Sequence, residues 1–189
     1  MSLVNGRRHA RGQFSVALPI SRRAIRWQYQ AMATELAALL LRNGKEHAES
    51  ACLLFRAAHD IAHAENIEDE EAFAFYGPYS LSVQYLLGLG LELMVKSAIV
   101  AWDAEADAKY LRNEVGHDLI AALDQAEARG FTSSAPNLRA LLDVLREPYK
   151  QHWLRYERPD QFELPSSFDE IVPILETLYS EVRTKLDAD

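Results

Sequence analysis

Residues 79–102, which read YSLSVQYLLGLGLELMVKSAIVAW, are the most informative stretch of this chain for its architecture. The stretch is long enough for roughly six turns of α-helix, and it contains no proline. Its apolar residues fall on most faces of a helix, which is typical of a central helix that is buried on several sides. We therefore expect it to be the most buried helix, with Leu93 in the core. Gly88 and Gly90 are expected to permit close packing.

Helical periodicity recurs on both sides of this stretch, and no segment shows the period of two that indicates a strand. Asn43-Gly44 is a helix-stop signal between the first two predicted helices. The predicted helices cover about 22–41, 45–66, 79–102, 117–130, 136–146 and 168–186. The fold class is therefore predicted to be all-α, an up-down helical bundle of four main helices with additional helices. A basic N-terminal arm, 1–21, is expected before a single helical domain, 22–189.

Two prolines affect the expected ends of the last two helices. Pro148 is predicted to end the fifth helix or to follow its end. The sequence SFDE at 167–170 has the pattern of a capping box, but Pro173 then lies deeper than the first turn. The last helix is therefore predicted to start at 168 or two or three residues later.

The composition is typical of a globular intracellular protein. Of the 189 residues, 49% are hydrophobic and 25% are charged, which argues against disorder. Cys52 is the single cysteine, so neither an internal disulfide nor a thiolate metal site is expected. Glu92 and Lys96 make a membrane span costly, and no continuous apolar stretch follows the N-terminal arginines as in a signal peptide. We therefore expect a cytoplasmic protein without a membrane partner.

Charge is unevenly distributed along the chain. The first 34 residues contain six arginines and no acidic residue, whereas the remainder contains 14 basic and 28 acidic residues. The net charge of −8 argues against a general nucleic-acid coat protein. The arginine-rich segment is either a basic arm for a partner or a polar leader that docks on the acidic surface of the chain itself.

A candidate site lies in the sequence RNEVGHDL at 112–119. Asp118 is predicted to be the N-cap of the next helix, which places His117 where free N–H groups and the helix dipole favour an anion. Arg112 is near enough in sequence to reach the same place, and these groups together would suit a phosphate. The alternative is that His117 only caps the helix and that Arg112 pairs with an acidic residue of the preceding link. Those acidic residues are Asp103, Glu105 and Asp107.

Several motifs occur in a characteristic order. They are GLELMVKSA at 90–98, GHDL at 116–119, AEARG at 126–130, RYERP at 155–159 and FELP at 162–165. This order resembles the HEPN superfamily of helical bundles, and the resemblance covers about residues 75–186. Ribonuclease members of that superfamily carry an arginine, a polar residue and then a histidine, and Arg112, Asn113 and His117 match this pattern.

The resemblance implies a metal-independent endoribonuclease of a defence or toxin–antitoxin system, with no cofactor. His117 would deprotonate or orient the RNA 2′-hydroxyl, a role that suits imidazole near neutral pH. Arg112 would stabilise charge on the phosphorane oxygens, and Asn113 would orient a phosphate or the histidine. The alternative is a catalytically silent HEPN-like module that binds a nucleotide or a partner protein, such as a nucleotidyltransferase-type antitoxin. A purely structural helical oligomer is a third reading.

Glu92 and Lys96 are spaced i,i+4 on the apolar helix, with glutamate on the N-terminal side as a helical ion pair prefers. One interpretation is a structural ion pair in which burial makes pairing necessary. The other places Glu92, Lys96 and Asp118 beside the Arg112/His117 site as supporting groups.

Other patterns favour no site. His59 and His63 lie one turn apart, but two ligands do not complete a metal site. The acidic residues from Asp103 onward imitate a calcium loop, but Ala108 occupies the position that requires glycine. Cys52 has no evident neighbouring base, so a nucleophile role is not expected.

Aromatic residues concentrate in the predicted connectors, where some of them would be exposed. They are Phe73, Phe75, Tyr76, Tyr79, Tyr149, Trp153, Tyr156 and Phe162. Exposed aromatic clusters often mark interfaces. Together with the resemblance, in which paired chains share one composite site, they predict a homodimer whose two His117 clefts face each other. The alternative is that these aromatics pack inside the monomer.

Overall fold

The computed structural model describes residues 22–151 and 167–188. The predicted basic arm, 1–21, and the motifs at 155–165 lie outside the described residues. Within them there are helices and no strand, so the all-α helical bundle is confirmed. The α-helices are α1 (Arg22–Ala64), α2 (Glu70–Tyr76), α3 (Ser80–Trp102), α4 (Ala108–Tyr110), α5 (Leu119–Glu127), α6 (Leu138–Lys150) and α7 (Phe168–Ala188), with a π-helix at Leu111–Val115.

The predicted break at Asn43-Gly44 is wrong, because α1 runs through it without interruption. Gly44 faces α3, and a Cβ there would lie 2.9 Å from the Gly90 carbonyl oxygen and 3.0 Å from the Met94 nitrogen. A Cβ on Gly90 would in turn lie 2.9 Å from the Ala48 nitrogen. The two glycines therefore let the backbones of α1 and α3 approach closely. In the sequence, a glycine that allows such close packing looks the same as a glycine that ends a helix.

The central position of α3 agrees with the prediction. Leu87, Leu91 and Ile99 are fully buried, and α3 contacts α1, α2, α5, α6 and α7. Leu93, in contrast, is only half-buried, so the core positions nearest to it are Leu91 and Met94. Among the described residues, α3 is the one helix long and apolar enough to cross a membrane, but 67% of its most apolar window is buried in the bundle. That burial is compatible with the core helix of a soluble protein.

Contacts along their length fix how α1, α3 and α7 pack. The Ser97 hydroxyl donates to the Ala37 carbonyl at 2.7 Å, whereas Gly90 meets Gly44 and Ala48, so α3 runs antiparallel to α1. Phe168 at the start of α7 stacks on Phe55 of α1 with ring centroids 4.4 Å apart. These contacts close one end of the bundle.

The prediction that Pro148 ends or follows the fifth helix is wrong, whereas the predicted start of the last helix at 168 is confirmed. Pro148 lies inside α6, which continues to Lys150, and Pro173 lies inside α7, which begins at Phe168 without a delayed start. Each helix loses one backbone hydrogen bond at its proline. Pro148 is buried, as are Ile174 and Leu175 beside Pro173. Tertiary packing therefore keeps both helices formed through their prolines.

The charged segment between α3 and α5 contains two short helical elements, α4 and the π-helix. Asp107 accepts a hydrogen bond from the Tyr110 N–H and caps α4, and the π-helix follows directly. Gly116 ends the π-helix with φ 63° and ψ −137°, a conformation that favours glycine. This turn delivers His117 and Asp118 to the start of α5. The short helix α2, which was not predicted, is capped by Asp69.

Candidate functional site

The floor of the site is the buried carboxylate of Glu92 on α3. Its Oε1 accepts a hydrogen bond from Lys96 Nζ at 2.5 Å, and the Tyr149 hydroxyl also donates to it. Burial raises the pKa of Glu92, but the hydrogen bonds from Lys96 and Tyr149 and the charge of Lys96 outweigh it, so the pKa lies below its usual value. Glu92 is therefore a buried anion that is held ionised by its neighbours.

His117 lies above this carboxylate at the surface. Its Nδ1 is 3.1 Å from Glu92 Oε2, and 60% of its side chain is exposed. The Tyr149 ring packs edge-on against the imidazole, with centroids 6.4 Å apart. An exposed imidazole on a buried carboxylate is an oriented base, because the anion favours the tautomer with the proton on Nδ1 and leaves the lone pair on Nε2.

Lys96 ties the turn that carries His117 to α3. Its Nζ donates to the Gly116 carbonyl oxygen at 2.6 Å as well as to Glu92. The buried ammonium therefore binds both a side chain and the backbone of the turn. The pair is therefore buried, and it contacts both His117 and Gly116, while its role as a supporting group of an Arg112/His117 site stays a prediction.

Asp118 is the N-cap of α5, as predicted, and accepts a hydrogen bond from the Ala121 N–H at 3.1 Å. It also binds two cations from α6. Arg146 donates from Nε and Nη2 to the two carboxylate oxygens, each at 2.9 Å, and Lys150 Nζ donates at 2.8 Å. Burial raises the pKa of Asp118, but the hydrogen bonds from Arg146 and Lys150 lower it far more, so it stays well below its usual value.

Arg112 and Asn113 lie exposed on the π-helix. Within the described part of the chain, the Arg112 side chain forms no ion pair, and Asp103, one of its expected alternatives, pairs with Arg129 at 2.9 Å. The structure thus brings Glu92, Lys96 and His117 into contact, while the convergence of Arg112 and His117 on one anion stays a prediction.

The sequence interpretation missed Arg146, Tyr149 and Lys150. Arg146 and Lys150 are spaced i,i+4, which places them on one face of a helix, and Tyr149 lies beside them in the same turn. That spacing was a usable signal for a cationic face. The spacing did not reveal that Asp118 is the partner of both cations, because Asp118 lies 28 and 32 residues earlier in the chain.

The other candidate groups fall elsewhere. His59 and His63 both contact the Glu70 carboxylate, at 3.2 and 2.7 Å. Over residues 22–151 and 167–188, no group of three or more His, Cys, Asp or Glu side chains is arranged to hold a metal ion. Cys52 lines a cavity of about 490 Å³ between α1 and α7, and burial raises the pKa of its thiol. A raised pKa disfavours the reactive thiolate.

The expected exposure of the connector aromatics is correct for some of them only. Tyr76 and Tyr79 are exposed, but Phe75 and Tyr149 are buried. Phe75 packs against Phe55 and Phe168. Trp153, Tyr156 and Phe162 lie outside the described residues.

Comparison of the chain with protein-family models, curated proteins and solved structures found no match.

Proposed function

We propose that this chain is a HEPN-like, metal-independent endoribonuclease that acts in the cytoplasm in a defence or toxin–antitoxin system. The observation that supports this proposal best is the exposed imidazole of His117 seated on the buried carboxylate of Glu92. A general base that works near neutral pH needs an imidazole with an exposed ring edge and a neighbouring group, here an ionised carboxylate, that orients the ring.

The proposed reaction is transesterification at one RNA phosphate. His117 Nε2 takes the proton from the 2′-hydroxyl while the 2′-oxygen forms a bond to phosphorus. The bond from phosphorus to the 5′-oxygen breaks, and that oxygen takes a proton from water. The products are a 2′,3′-cyclic phosphate and a 5′-hydroxyl.

Glu92, whose Oε2 lies 3.1 Å from Nδ1, holds the imidazole in place while Nε2 takes up the proton. Arg112 and Asn113, one turn earlier and exposed, bind the phosphorane oxygens and the phosphate. The reaction is an acid–base displacement, for which the residues named here suffice in principle.

The test is cleavage of a mixed-sequence RNA in EDTA. Wild type should cut it and leave cyclic phosphate ends, and His117→Ala should cut at least about 100-fold more slowly, because general-base catalysis contributes this much. His63→Ala is the matched control, since His63 is also an exposed imidazole on a glutamate carboxylate. If wild type cuts no class of RNA, the catalytically silent module that binds a nucleotide or an antitoxin is favoured.

Arg112 is tested in the same assay. Arg112→Ala should reduce cleavage strongly if its guanidinium contacts the phosphorane. Arg139→Ala, which removes another exposed arginine, should leave cleavage unchanged. Equal losses in the two variants would indicate a general charge effect and would remove Arg112 from the proposed site.

We also propose that the chain acts as a homodimer with a composite site. Two copies of Arg112 and His117 around one phosphate would double the cationic charge at the transition state. Light scattering at micromolar concentration should give twice the 21.4 kDa chain mass. A monomer mass excludes this arrangement, and mixed Arg112→Ala and His117→Ala chains should regain activity if the site is shared.

A further inference from the structure

The last turn of α6 carries two cations that reach the same carboxylate. Arg146 and Lys150 both bind Asp118, so two cations share one carboxylate. The inner pair, Glu92 and Lys96, is balanced. Glu147 in the same turn and Asp143 one turn earlier add negative charge near Arg146, so what distinguishes the two cations is their shared partner and not a net positive charge.

Both cations keep unused hydrogen-bond donors. Arg146 binds Asp118 through Nε and Nη2, so its Nη1 edge does not contact that carboxylate. Lys150 uses one of three ammonium donors on Asp118. The side chains of Arg146 and Lys150 are 37% and 42% exposed. Solvent, or an anion from solvent, reaches both groups.

The same turn lies against the proposed base. Tyr149, between the two cations in sequence, packs edge-on against His117 and donates to Glu92. Asp118, which anchors both cations, is the residue after His117. The cations therefore belong to the turn whose Tyr149 contacts His117, and they are bound to the residue that follows His117, which suits an anion adjacent to the one that reacts.

The opposite end of α6 shows the contrasting arrangement. Arg139 pairs with Asp124 at 2.8 Å and with Glu127 at 2.6 Å, so one cation there faces two carboxylates. Its side chain is 49% exposed, which is similar to Arg146. Arg139 thus lies on the same helix as Arg146 and has a similarly exposed side chain. Its two carboxylate partners, however, would repel an anion.

From this arrangement we propose that Arg146 and Lys150 bind the phosphate that neighbours the scissile phosphate of a single RNA strand. This inference rests on the proposed ribonuclease function and extends it: the substrate class is an oligonucleotide with at least two consecutive phosphates. Arginine and lysine both bind phosphate oxygens, and arginine does so through a planar edge such as the one that faces away from Asp118.

The binding test uses a 2′-O-methyl pentanucleotide, which has no 2′-hydroxyl to react, and measures fluorescence anisotropy across salt concentrations. Arg146→Met and Lys150→Met should each weaken binding at least about fivefold at low salt. Each should also lower the slope of log affinity against log salt by about one phosphate contact. Arg139→Met should bind like wild type, and Arg146→Lys should keep most of the salt slope.

A cleavage arm separates this inference from the proposed function. For a dinucleoside monophosphate, which has a single phosphate, Arg146→Met should lower kcat/KM much less than it does for a longer RNA. For a longer RNA, Arg146→Met should raise KM with little change in kcat. Thermal unfolding followed by circular dichroism verifies that each variant is folded, and Lys150→Met provides a second variant at the exposed end of the helix if Arg146→Met is not.

The outcomes are distinct. If wild type cleaves RNA but Arg146→Met and Lys150→Met bind and cleave like Arg139→Met, the phosphate assignment is wrong and the ribonuclease proposal survives. If wild type cleaves nothing but pentanucleotide binding depends on Arg146 and Lys150, the strand-binding assignment survives and the catalytic proposal fails. Equal weakening by Arg139→Met, or no binding by wild type, overturns the assignment.

Discussion

The two sides of α3 are held in place by different kinds of interaction. Toward α1, Gly90 and its neighbours fit against Gly44 and Ala48 by shape. Toward α5, Glu92 and Lys96 are held by a few short, directed hydrogen bonds to each other and to the turn at Gly116. The comparison shows that one helix can be both the centre of the core and the floor of a polar site. The apolar side tolerates no added volume, and the polar side tolerates no missing partner.

Breaking the polar side should have the largest effect on stability. Lys96→Met leaves the Glu92 carboxylate buried without its cation, which we expect to cost about 3–5 kcal/mol. Urea unfolding measures the change. Lys45→Met is the matched control, because Lys45 forms an i,i+4 pair with Glu49 at the surface, and it should change stability by less than about 1 kcal/mol. Equal effects would contradict the buried-pair interpretation.

The apolar side is tested by two leucines on the same helix. Leu91 is fully buried and Leu93 is half-buried. Leu91→Ala should destabilise the protein by about 2–5 kcal/mol, because it leaves a cavity in the core. Leu93→Ala should cost clearly less in the same urea titration. The reverse order would show that the burial of a leucine on α3 does not determine how much it contributes to stability.

The close approach of α1 and α3 is tested by adding one methyl group. Gly44→Ala improves helix propensity by about 1 kcal/mol, but its Cβ would meet the backbone of Gly90 and Met94 within 3.0 Å. We expect a net destabilisation of about 1–3 kcal/mol, as in other overpacked cores. Asn43→Ala, one position away, tests propensity alone and should be neutral or stabilising. A more stable Gly44→Ala protein would mean that the two backbones separate readily.

The smallest effect expected is a pH dependence that arises from the polar side. The pKa values of Glu92 and Asp118 are both below normal in the folded chain. Their contribution is therefore complete above the unfolded values near pH 4 and is lost as the pH falls through the folded values. The urea midpoint should decrease from about pH 5 to about pH 3. Asp118→Asn should flatten this decrease, and an unchanged slope would show that other carboxylates cause it.

Much of the fold was predictable because helical periodicity is a local property. The apolar stretch at 79–102, the N-cap at Asp118 and the all-α class all follow from residues near one another in sequence. The helix break at Asn43-Gly44 did not follow, because a glycine that ends a helix and a glycine that admits a neighbouring helix have the same local signature. Only the position of α3 against α1 distinguishes the two cases.

The candidate site divides in the same way. Spacings of a few residues were enough to predict that Glu92 and Lys96 share a helical face and that Asp118 and His117 lie at a helix start. The contact of Glu92 with His117, 25 residues away, and the convergence of Arg146 and Lys150 from α6 on Asp118 became visible only when the helices were packed together. Contacts between residues so far apart in the sequence depend on how helices pack against one another, and the periodicity of a single helix does not predict them.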